Sequence, residues 1–168
     1  MMKTRFLTGN YPTHPNRGQS LVEFALAATL MIFMLVATID FGLAFLSWIT
    51  LRDAAQEGAA YSSIFPPTSL LDSDPVVTNI KYRVKYAAST PVDLSTLAND
   101  HIVISIHNTP GNATGACPGN SVQVTVTYDY PVITPIITNF IGSPTIPVSA
   151  TVVNTILRKG NGMACVIP

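Results

Sequence analysis

The chain has little from which a catalytic centre is made. Three histidines occur in 168 residues: His14, His101 and His107. The last two stand about 20 Å apart along an extended strand, too far to share a metal. There is no HExxH pattern, nucleophile motif or phosphate loop, and Asn108-Thr109-Pro110-Gly111-Asn112 reads as turn chemistry. Asp93, Asp100 and Asp129 are scattered over turns and strand ends, where a carboxylate solvates or caps. The sequence points to no catalytic residue, no metal and no cofactor, and an enzyme is not expected. Asn112-Ala113-Thr114 fits a glycosylation acceptor, a three-residue match of low specificity.

Basic charge is equally thin. Nine Lys and Arg balance nine Asp and Glu. Three of the basic residues, Lys3, Arg5 and Arg17, precede residue 18, so the remainder holds six basic against nine acidic side chains, a net charge of −3. Lys81, Arg83 and Lys85 form only a short cluster, read as a solvated polar face; no nucleic-acid partner is expected.

What the chain does have is one long apolar run. From Phe24 to Ile49 the single ionisable residue is Asp40, and about 20 apolar helical residues cross a hydrocarbon core of about 30 Å. The run is apolar all round, which suits lipid, and the rest of the chain is too small to enclose it. Lys3, Arg5 and Arg17 lie ahead of it and no acidic residue does before Glu23. Positive flanks stay in the cytoplasm, so the N-terminus is expected inside and everything beyond about residue 50 outside. The helix reads on without a break through Thr50 to Tyr61, unlike a cleaved secretory signal. Pro66-Pro67 should stop it.

The only two cysteines, Cys117 and Cys165, fall in the part expected outside the cytoplasm, where thiols pair more often than they stay free. A Cys117–Cys165 disulfide would tie the loop at Ala116-Cys117-Pro118-Gly119 to the C-terminal tail. For a closed loop of about 50 residues the chain-entropy model gives about 4 kcal/mol.

Four segments follow from periodicity. Residues 1–18 read as a flexible cytoplasmic leader, 19–49 as the transmembrane helix, 50–65 as its extracytoplasmic continuation and 66–168 as an α+β ectodomain. Asp74-Pro75 looks like an N-cap and first-turn proline opening a short helix over about 75–88. Ile102-Ile104-Ile106, Val122-Val124-Val126-Tyr128 and about Val148 to Leu157 read as three strands of an antiparallel sheet. The proline-punctuated segment Tyr130–Pro147 leaves room for one helical turn after Thr134-Pro135, and its apolar side chains, Ile133, Ile136, Ile137, Phe140 and Ile141, are expected to cover the sheet. Ala54, Gly58 and Ser62 recur every four residues, as do Ala55, Ala59 and Ser63. Either stripe lets another element approach closely, whether from another subunit or from the chain's own domain.

The run Arg17-Gly18-Gln19-Ser20-Leu21-Val22-Glu23-Phe24, then Ile39-Asp40-Phe41-Gly42 and Ala54-Ala55-Gln56-Glu57-Gly58-Ala59, resembles the TadE-like family, pilin-like assembly proteins of tight-adherence (Tad/Flp) type IV pilus systems. Family members often carry a basic residue where this chain has Gln56 or Ala60, so no contact of such a residue carries over. The resemblance implies a minor pilin or pseudopilin in the bacterial cytoplasmic membrane, acting in pilus assembly or adhesion. A prepilin peptidase would cleave after Gly18, leaving Gln19 first and Glu23 fifth, ahead of Phe24. Its implied partners are that peptidase, other pilin-like subunits, the membrane assembly platform and the lipid bilayer. Glu23 could meet a neighbour's terminal amine or simply complement the helix dipole. Asp40, 17 residues on, could snorkel to the outer interface or face another subunit. Ala54 and Gly58 are the further candidates for intersubunit helix contact. The alternative is a permanently anchored extracytoplasmic binding module.

Overall fold

The computed structural model describes residues 17–160 and Cys165. All but the last two residues of the expected leader lie outside the described residues, and Lys3, Arg5 and His14 with them. The chain divides into two compact units, Met1–Val36 and Ala37–Pro168. What is described of the first is the opening part of α1, a helix over Arg17–Ile64. From Gly18 to Ile39 it carries apolar side chains on every face and none of its residues is buried. Its first turn holds no acidic residue, leaving the positive end of the helix dipole uncompensated.

The second unit holds the rest of α1 and then α2 (Pro75–Tyr86), β1 (Ile102–His107), β2 (Ser121–Pro131), α3 (Pro135–Ile141) and β3 (Thr145–Thr155). The sheet is antiparallel in the order β1-β2-β3, with Ile102 opposite Val126, Ser121 opposite Thr155 and Pro131 opposite Thr145. This is the expected α+β architecture.

Local chemistry accounts for the boundaries. α1 ends just before Pro66-Pro67. Asp74 caps α2, its Oδ1 accepting from the Val76 amide at 2.8 Å, with Pro75 in the first turn. β2 alternates strictly: Val122, Val124 and Val126 are buried, while Gln123, Thr125 and Thr127 are half-buried. The inward valines Val124 and Val126 meet Leu51, Ala54, Ala55 and Ala59 of α1 and Ile80 and Val84 of α2 in one core. A smaller cluster of Ala116, Val122 and Ile156 closes its far end.

One expectation is corrected at two residues. α1 and α2 cover the sheet, and Ile133 and Ile141 of the 130–147 segment do not join them. Pro131 still belongs to β2 and Thr145 already to β3, so the intervening chain turns away with Ile133 and Ile141 exposed.

Candidate functional site

The candidate processing residues occupy the start of α1. Gly18, Gln19, Glu23 and Phe24 are all exposed, and a Cβ built on Gly18 would meet nothing within 4 Å. Gly18 is helical here, not extended, so a protease must unwind the first turn to reach its peptide bond. That turn is easily opened. No acidic side chain offsets the dipole there, and glycine weakens a helix by about 1 kcal/mol relative to alanine. Glu23 sits beyond the first turn, where the dipole's attraction has largely faded.

Asp40 has a different setting from either sequence reading. It is only 6 % exposed, and its carboxylate bridges two successive amides of the β2–α3 connection. Oδ1 accepts from Ile133 N at 3.1 Å and Oδ2 from Thr134 N at 2.9 Å. The Tyr130 hydroxyl lies 3.5 Å from Oδ1. An isolated carboxylate would be costly in this position, and paired backbone donors offset that cost. The acceptor role is intramolecular, with partners more than 90 residues away in the chain.

Ala54 and Gly58 are likewise taken up by their own domain. Ala54 is fully buried, and a Cβ on Gly58 would stand 2.6 Å from Val84 Cγ2. The small-residue stripe exists so that α2 can lie close against α1. These positions present no surface to a second subunit, which leaves Glu23 as the one candidate intersubunit residue that is exposed.

Cys117 and Cys165 form a disulfide, with Cα atoms 5.7 Å apart and a sequence separation of 48. The loop it anchors is built around a residue that sequence reasoning missed. Asn120 is fully buried. Its Nδ2 donates to the carbonyls of Ala113 and Gly115 at 2.6 and 2.7 Å, and its Oδ1 accepts from Thr109 N and Asn112 Nδ2 at 3.0 and 2.9 Å. Nothing in the local pattern distinguishes it from a turn asparagine. Asn112, the residue of the glycosylation-like triplet, also gives its Nδ2 to Pro118 O at 2.8 Å, so its amide is committed inward.

A polar cleft of about 710 Å³ lies along Asp53, Glu57, Tyr61, Tyr82, Arg83 and Tyr86, between the later half of α1 and α2. Arg83 pairs with Glu57 at 2.8 Å and stacks over Tyr61 at 4.4 Å, and Tyr82 and Tyr86 lie 4.4 Å apart. Lys81, expected on a solvated face, is instead buried, with its ammonium 2.7 Å from Asp72 and 2.9 Å from Asn99 O. The helix turns it inward with Ile80 and Val84, and its long stem packs while the charge is paired. His101 and His107 are separated, hydrogen-bonded to Thr127 O and Gln123 respectively. Among the described residues no three His, Cys, Asp or Glu side chains converge on a metal position.

The helix that carries Gly18, Glu23, Asp40 and Gly58 can then be compared with known families. Residues 18–60 match the family model described as TadE-like protein. The TadE-like segment covers 43 of the 168 residues and stops inside α1. It suggests a Tad pilus-associated, pilin-like protein. No curated protein and no solved structure matches the chain. Everything from α2 onward rests on its own geometry.

Proposed function

We propose that the chain is a minor pilin or pseudopilin of a Tad-type machine, cut by a prepilin peptidase after Gly18 and acting in pilus assembly or adhesion. The observation that carries this is the TadE-like α1, sheathed in exposed apolar side chains from Gly18 to Ile39 and headed by an exposed Gly18-Gln19 step with Glu23 and Phe24 following. From Leu21 to Ile39 a helix is about 28 Å long, close to one hydrocarbon thickness. From Asp40 onward one face of α1 is occupied by the ectodomain. In this reading the outer boundary of the span falls near residue 40.

The expected orientation, N-terminus inside, agrees with the Cys117–Cys165 bridge, which needs an oxidising compartment. Partners in this reading are the peptidase, other pilin-like subunits meeting α1, the assembly platform and the bilayer. Intact mass of membrane-extracted protein tests it: chains from cells with an active peptidase should begin at Gln19. Gly18→Val should leave the leader in place, because a β-branched side chain crowds the scissile bond. A wild-type chain that keeps residues 1–18 under the same conditions removes the pilin reading. It would favour the anchored binding module, for which the tyrosine-lined cleft at Tyr61, Tyr82 and Tyr86 offers a surface.

A further inference from the structure

No Asp, Glu, Lys or Arg occurs between Asp129 and Arg158. Part of that uncharged stretch is β3; another part is the α3 connection, residues 132–144. Ile133 is 64 % exposed and Ile141 49 % exposed. The sheet does not use them, and their exposure costs about 25 cal/mol for each Å² left in water. The connection is tied to α1 through the Asp40 carboxylate on the amides of Ile133 and Thr134. Asp40 is the residue that directly follows the all-round-exposed apolar part of α1. Beside it, Phe41 is 75 % exposed.

The backbone of this connection is suited to scarce water. Besides the two amides held by Asp40, Val132 N donates to Pro144 O at 3.0 Å, Ile137 N to Thr134 O at 3.1 Å and Gly142 N to Thr138 O at 2.8 Å. Pro135 and Pro144 have no N–H to satisfy. Irregular backbone is excluded from the lipid-facing hydrocarbon core but tolerated at the interface, where an apolar surface sinks about 5–10 Å into the headgroup and acyl boundary. Phe41 and Phe45 on the adjoining helix are more than half exposed and add apolar surface beside the connection.

We infer that the α3 connection is an interfacial membrane contact: Ile133 and Ile141 insert into the outer face of the bilayer, and Asp40 holds the connection against α1 there. The inference rests on the membrane reading of α1. It gives the lipid surface a second point of attachment besides the spanning helix.

The test uses the full chain in phosphatidylcholine–phosphatidylglycerol vesicles, with single-tryptophan variants made in a Trp48→Phe background, since Trp48 is the only tryptophan. Ile133→Trp and Ile141→Trp report on the connection, Leu30→Trp on the span, and Val153→Trp on the far end of β3, about 26 Å from Thr145. Thiol labelling without reductant verifies that each variant retains the Cys117–Cys165 bridge. In vesicles containing brominated phosphatidylcholine, the tryptophans at 133 and 141 should lose intensity, more with bromines near the headgroup than near the chain ends. Leu30→Trp should show the reverse depth preference, and Val153→Trp no loss. If 133 and 141 emit as in water and are unquenched while Leu30→Trp is quenched, the inference is wrong and the span stands. Shielded emission without quenching at 133 and 141 would mean that protein covers the connection, which also overturns it. An unquenched Leu30→Trp would overturn the membrane reading of α1 and the inference together.

Discussion

Gly58→Ala separates two physical arguments that point in opposite directions. By helix propensity alone the change should stabilise α1, since glycine in a helix interior costs about 0.5–1 kcal/mol relative to alanine. By packing it should destabilise, because the added Cβ would lie 2.6 Å from Val84 Cγ2 and 3.4 Å from Ile80 Cγ2. Comfortable carbon contacts are about 3.5–4.0 Å, so α2 must move by about 1 Å or Val84 must leave its rotamer. Val84 is fully buried and stiff at χ1, and such overpacking costs about 1–3 kcal/mol. Packing wins by about 1–2 kcal/mol, a fall in Tm of about 3–8 °C for a domain of this size. Thermal unfolding of the detergent-solubilised full chain, followed by tyrosine fluorescence, measures it. Val84→Ala alone should cost about 2 kcal/mol through the cavity it leaves. The double variant should be more stable than the sum by about 1–2 kcal/mol, because the methyl group added at position 58 fills the vacated space. A higher Tm for Gly58→Ala, or strict additivity, would refute the close packing of α2 on α1.

The Asp74 carboxyl gives a pH dependence. Burial raises its pKa, but hydrogen bonds from the Ser69 and Val76 amides and from the Thr68 hydroxyl and amide outweigh burial and hold it below the ordinary value. Its contribution is complete above the unfolded carboxyl pKa of about 3.9 and is lost as pH falls through the lower folded value; Asp74→Asn should flatten the loss of stability measured in urea between pH 5 and 3, and an unchanged slope would rule this group out. Cys165→Ser should free the tail and the loop at Cys117, lowering stability by about 2–4 kcal/mol, with faster hydrogen exchange at residues 113–120; two reactive thiols in freshly isolated wild type would contradict the bridge. Glu23→Ala should leave insertion and processing intact, because an apolar residue suits the span at least as well. Crosslinking of the processed chain to pilin-like partners should fall, and unchanged crosslinking would reduce Glu23 to a helix-terminal charge.

The regular elements can be read from periodicity because each has a local cause. Pro66-Pro67 stops α1, Asp74-Pro75 opens α2, and the valine alternation of β2 is a period of two wherever it occurs. Even α3 is visible in outline, as a turn after Thr134-Pro135. The long-range pairings are not. Asp40 looks like an isolated charge near the end of an apolar run, and its donors lie more than 90 residues onward. Asn120 resembles any turn asparagine until the loop closes around it. The stripe of Ala54, Ala55, Gly58 and Ala59 leaves the choice between subunit and domain open, since small residues allow close approach without specifying what approaches. Lys81 reads as a surface residue because its charge hides a stem that packs like an aliphatic side chain.

The core draws on both ends of the ectodomain: Leu51 to Ala59 at the beginning and Ala150 near the end. During synthesis the α1 face therefore waits, uncovered, while about a hundred further residues are made, at about 5–20 residues per second. A stripe of alanine and glycine presents little apolar area in that interval, so the emerging helix offers other chains little to adhere to. The same small side chains that permit α2 to settle closely at the end keep the unfinished domain inconspicuous on the way there.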